Sequence, residues 1–85
     1  MPYIKEETRL WFDDKIERLA KDILNPGDLC YCIYKLMKDV ILKNGPNFKI
    51  MSRVISEVEC AKLEFYRRIV SPYEDKKIEE NGDIK

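Results

Sequence analysis

An all-α fold is what this sequence predicts, on three observations. Apolar residues recur at steps of three and four through three long stretches. Proline and glycine punctuate those stretches, at Asn25-Pro26-Gly27 and Asn44-Gly45-Pro46. No convincing strand and no internal repeat interrupts them. The expected architecture is a small three-helix bundle with a short C-terminal helix, one domain over residues 1–85. The helices are expected at about 8–24, 26–43, 47–70 and 72–80.

In "RLWFDDKIERLAKDIL", Phe12, Ile16, Leu19 and Ile23 define one face, flanked by Trp11, Ala20 and Leu24. Arg9, Asp13, Glu17 and Lys21 cover the other. Asn25 is placed to cap the second helix, with Pro26 at its first position and Asp28 at the positive end of its dipole. That helix carries Leu29, Ile33, Leu36 and Val40, widened by Cys32, Met37 and Ile41. So broad an apolar face suits the most buried helix of a bundle. Asn44-Gly45-Pro46 then supplies a cap and a stop.

The third helix opens at a cap on Asn47 and carries Phe48, Met51, Ile55, Val58, Phe65 and Ile69 in a stripe, with Val54 and Ala61 beside it. Ser71-Pro72-Tyr73-Glu74 reads as a capping box that starts a separate short helix, with Asn81-Gly82 as its stop. Tyr73 and Ile78 are that helix's apolar handles, enough to dock but not to build a core.

Eighty-five residues bound the core that one copy can build. A domain this short gains only about 3–5 kcal/mol from a single core and often needs a disulfide, a metal or a second copy. The chain is 45% hydrophobic and 38% charged, which fits helices with one apolar stripe and a dense charged face. Sixteen basic residues balance sixteen acidic ones, so no bulk field draws the chain to nucleic acid or to a membrane surface. No apolar run approaches a membrane span, and "MPYIKEETRL" lacks the apolar core of a secretion signal; the expected location is the cytoplasm.

Cys30, Cys32 and Cys60 are an odd set without the Cys-x-x-Cys spacing, and no histidine is present to complete a zinc site. They are expected to be small apolar side chains in or near the core. The missing histidine also removes Ser-His and Cys-His catalysis, and no glycine-rich loop precedes a helix as a phosphate cradle requires. An enzyme is disfavoured, and no cofactor and no metal is expected. The catalytic alternative is a nucleotide hydrolase with a metal held by Glu64 and either Glu74 or Asp75.

The C-terminal "EFYRR" is the better candidate for chemistry. Phe65 belongs to the apolar stripe, while Tyr66, Arg67 and Arg68 turn outward, with the two guanidiniums roughly 100° apart around the helix. A guanidinium offers a planar donor fork to phosphate or carboxylate, and tyrosine offers a face for a base or ribose. The plainer reading is that Arg67 and Arg68 pair with Glu64, Glu74 or Asp75 and pin the tail helix down. Tyr31 and Tyr34 flank the second helix's stripe as the rim of a helix contact. Trp11 and Phe12 give the first helix more aromatic surface than one stripe buries, a mark of an interface.

"ECAKLEFYRR" and "PYEDKKIEENGDI", with "MPYIK" and "PGDLCYCIYKL", resemble a family of small uncharacterised proteins from phages and bacteria. The resemblance spans nearly the whole chain. Relatives of this kind often end in an aromatic residue where this chain has Lys85. The resemblance implies no catalytic residue. By analogy of size and class, it raises the prospect of a sponge for nucleotide immune signals, acting in host cytoplasm.

The expected function is therefore non-catalytic binding of an anionic, nucleotide-derived small molecule between copies of a homo-oligomer, most simply a dimer. Arg67 and Arg68 would hold phosphate, Tyr66 and Tyr73 would pack a base or ribose, and Lys76 and Lys77 would add charge. The alternative is an adaptor or inhibitor that docks on a host protein through the charged tail. Nucleic acid is disfavoured by the zero net charge.

Overall fold

The computed structural model describes residues 1–85, and it is all-helical without a strand. The chain divides into two compact units, one formed by Tyr3–Val54 and the other by Met1–Pro2 with Ile55–Lys85.

In the first unit, α1 spans Glu6–Asp22 and α2 spans Pro26–Asn44. Helix α1 starts without a side-chain cap, but Glu6 and Glu7 place negative charge in its first turn, where the dipole favours it. Arg9 Nε also donates to Ile4 O at 2.8 Å. Asn25 caps α2, its Oδ1 accepting from Asp28 N at 3.0 Å. Asp28 answers in the other direction, its Oδ2 accepting from Leu24 N at 3.0 Å. The two short side chains thus satisfy amides on both sides of the Pro26 turn, in the manner of a capping box. At the far end Asn44 Nδ2 donates to Val40 O, and Gly45 takes φ 94°, which a residue with a Cβ adopts only under strain. Asn47 Oδ1 then accepts from Ile50 N at 3.0 Å and opens α3, Phe48–Phe65, whose first turns belong to this unit.

In the second unit α3 runs to Phe65 and passes into a π-turn at Tyr66–Val70, then into α4, Ser71–Asn81, without leaving helical backbone. The cause is Pro72. Its ring removes a donor and collides with the carbonyl four residues back, that of Arg68. Widening one turn avoids the collision, and Ser71 N–H reaches Tyr66 O five residues back. Helix α4 ends where Gly82 N donates to Ile78 O at 2.8 Å, with Gly82 at φ 86°.

This corrects the expectation of a separate tail helix capped by Ser71. A capping residue needs extended backbone, whereas Ser71 sits at φ −56° and ψ −48°, and α4 begins with no side-chain cap bond. The preceding turn supplies the acceptors that a cap would have supplied.

The bundle's core is corrected as well, because no residue in the chain is buried. The apolar side chains with partial cover in Tyr3–Val54 are Ile23, Cys32, Met37, Ile41, Ile50 and Val54. The stripes themselves lie open: Trp11 is 75% exposed and Phe48 82%. Leu29, Ile33, Leu36 and Val40 on α2 are exposed, as are Tyr31 and Tyr34 beside them. Cys30 and Cys60 are exposed thiols instead of core residues, and Cys32 is half-buried. The periodic pattern makes the helices, and their apolar stripes remain largely exposed.

Candidate functional site

The six residues singled out from sequence fall on two consecutive pieces of one unit. Tyr66, Arg67 and Arg68 occupy the π-turn, and Tyr73, Lys76 and Lys77 occupy α4. These two pieces are in direct contact. All six side chains are exposed.

The π-turn is fastened to α4 by Tyr66, whose hydroxyl donates to Glu74 Oε1 at 2.5 Å. Donation to a carboxylate holds the phenol proton in place, and the Tyr66 pKa is raised, first by that hydrogen bond, then by desolvation and by the charge of Glu74. Arg67 turns the other way. Its Nε donates to Glu64 Oε1 at 3.1 Å and its Nη2 contacts the same oxygen, one turn back on α3. Glu64 is half-buried. Lys77 Nζ lies 5.5 Å from the Tyr73 ring centroid, in cation–π range, and donates to Glu80 Oε2 at 3.1 Å.

The plainer sequence reading paired Arg67 and Arg68 with Glu64, Glu74 or Asp75. Arg67 does pair with Glu64, on its own helix, and Tyr66 adds a bond to Glu74 in the tail. The spacing from Tyr66 to Glu74 is eight residues, two turns plus the residue that the π-turn adds, so only knowledge of that turn would have revealed the pair. Arg68 is exposed at the middle of the same turn.

A further pair was not foreseen. The amino group of Met1 donates to Glu57 Oε2 at 3.0 Å, joining the start of the chain to α3 within the same unit. The pKa of the amino group is raised, chiefly by the hydrogen bond to Glu57, with desolvation opposing it. No group of three or more His, Cys, Asp or Glu side chains lies close enough to hold a metal ion, and Glu64 and Glu74 face Arg67 and Tyr66 respectively. No helix is long and apolar enough to cross a membrane.

The cluster is thus a charge-balanced, aromatic surface on a helical turn of unusual pitch. Its cationic donors are Arg67, Arg68, Lys76 and Lys77, groups that suit an anion. Residues 1–84 match a family model described as a domain of unknown function (DUF6899). No curated protein and no solved structure matches the chain.

Proposed function

The chain belongs to this family of unknown function, and on that premise we propose a non-catalytic binding protein that assembles from copies of itself. The observation that carries this reading is the absence of any buried residue in a chain that is 45% hydrophobic. Twenty-six large apolar or aromatic side chains are exposed, a number like the roughly 20–30 residues that one side of a stable interface contains. Burying each such side chain contributes about 1.5–3 kcal/mol, so leaving them open forgoes most of the driving force for folding. A net charge of zero lets identical copies approach without repulsion.

The ligand is an anionic, nucleotide-derived small molecule, held where the Tyr66–Lys77 surfaces of adjoining copies meet. A single helical surface is convex; a second copy supplies the opposing wall that encloses a ligand. Arg67 and Arg68 bind phosphate, Tyr66 and Tyr73 flank a base or ribose, and Lys76 and Lys77 add charge. The protein acts as a sponge in the cytoplasm, that of the host if a phage encodes it.

A second reading, an adaptor on a host protein, draws support from one feature. Tyr66, Arg67 and Lys77 each already contact a carboxylate, leaving a surface of mixed sign that suits a protein partner. Native mass spectrometry of the protein purified from cells, before and after denaturation, separates the two. A homo-oligomer that carries a nucleotide-sized mass and loses it on denaturation supports the sponge, and Arg67→Ala with Arg68→Ala then weakens ligand retention. A bare monomer removes the inter-subunit site and leaves the adaptor.

A further inference from the structure

The self-assembly reading leaves open which face meets which, and α3 carries a pattern that answers it. Phe48, Met51, Ile55, Val58, Lys62, Phe65 and Ile69 follow one another by steps of three and four without a break. That is the spacing of a coiled-coil seam, with Lys62 as its one charged member. Within the unit Ile55–Lys85 the seam is open: Ile55 is 62% exposed, Phe65 60% and Ile69 59%, with Val58 half-buried. Pro72 falls at the next seam position and ends it.

Charge runs along this segment in one direction. Glu57 and Glu59 lie toward its start and Arg67 and Arg68 toward its end, with Lys62 and Glu64 at its middle. The charges from residue 55 to 73 cancel, three acidic against three basic. A segment that is acidic first and basic last opposes itself when two copies lie parallel and matches itself when they lie antiparallel. Complementarity of this kind fixes orientation more than strength.

The geometry points to a second copy of this chain as the occupant of the α3 seam, paired antiparallel about a two-fold axis between Leu63 and Glu64. In that register Val58 meets the partner's Ile69, and Lys62 meets the partner's Phe65. The Glu57–Glu59 half then lies level with the partner's Arg67–Arg68 half. The pairing rests on the self-assembly reading but adds a face, an orientation and a register to it. It also draws the two π-turns toward one seam, where Tyr66 and Arg68 of each copy flank the same interface.

Pulsed electron–electron resonance on spin-labelled cysteines tests this. One chain carries C30S and C32S and keeps Cys60; a second carries C30S, C32S, C60S and E79C. Antiparallel pairing places the two Cys60 positions roughly 10 Å apart along the axis and the two residue-79 positions roughly 45 Å apart, at 1.5 Å per residue. Native mass spectra of the same samples report assembly. An oligomer with both distances short is parallel, and an oligomer with neither distance as stated uses another face; either result overturns the pairing and leaves self-assembly standing. A monomer removes both. Charge reversal gives an independent check: R67E with R68E weakens assembly about tenfold, and adding E57K with E59K to the same chain restores it. Failure of that rescue in a helical protein also overturns the pairing.

Discussion

Tyr66 shows how much of the local structure hangs on one hydrogen bond. Its hydroxyl closes the π-turn onto Glu74, and the bond raises the pKa above the ordinary tyrosine value. A folded value above the unfolded one means that the bond's stabilising contribution is fully present below the unfolded pKa and is lost as pH rises through the folded value. Ultraviolet titration of tyrosinate is therefore expected to show a late-ionising component that disappears in Tyr66→Phe and moves to lower pH in Glu74→Gln. A titration unchanged by either substitution would contradict the bond. Other single residues were legible from sequence because their work is local. Asn25 and Asn47 accept from amides three residues on, and Gly45 and Gly82 take positive φ at the ends of α2 and α4. Asn25→Ala is expected to cost about 1 kcal/mol, read as a lowered unfolding midpoint at matched protein concentration.

At the scale of elements, the helices were legible and the junction between α3 and α4 was not. Ser71-Pro72-Tyr73-Glu74 has every local mark of a helix start, yet proline is also accommodated by widening the turn before it. The choice depends on whether the flanking segments form one helix, which no four-residue window contains. Pro72→Ala restores a donor and removes the ring, so the π-turn is expected to relax into α-helix. The tail then rotates against Tyr66, and the late tyrosine ionisation is lost along with the Glu74 bond. Persistence of that ionisation in Pro72→Ala would show that something other than proline holds the turn. The seam on α3 was half legible for a different reason. Its apolar members were read as a stripe, but Lys62 interrupted it, and an unbroken step of three and four emerges only when a charged residue is allowed at one position.

For the molecule as a whole, the sequence shows how much apolar surface must be covered and not what covers it. Trp11, Phe48, Phe65 and Ile69 carry the periodicity of core residues, and each remains exposed. Periodicity marks a face as apolar; whether a neighbouring helix or a second chain lies on it is a property of tertiary and quaternary packing. The candidate binding residues follow the same logic. Their clustering on the π-turn and α4 came from proximity along the chain, and the Arg67–Glu64 pair from ordinary helical spacing, whereas the Tyr66–Glu74 pair depended on the pitch of the turn. On the proposed self-assembly, copies of the chain supply one another's core. The direct test is circular dichroism melting over a hundredfold range of protein concentration. Coupled folding and assembly predicts that the midpoint rises with concentration and that helical signal is lost on dilution. A sharp midpoint that does not move with concentration would mean that one copy folds alone, and would contradict it.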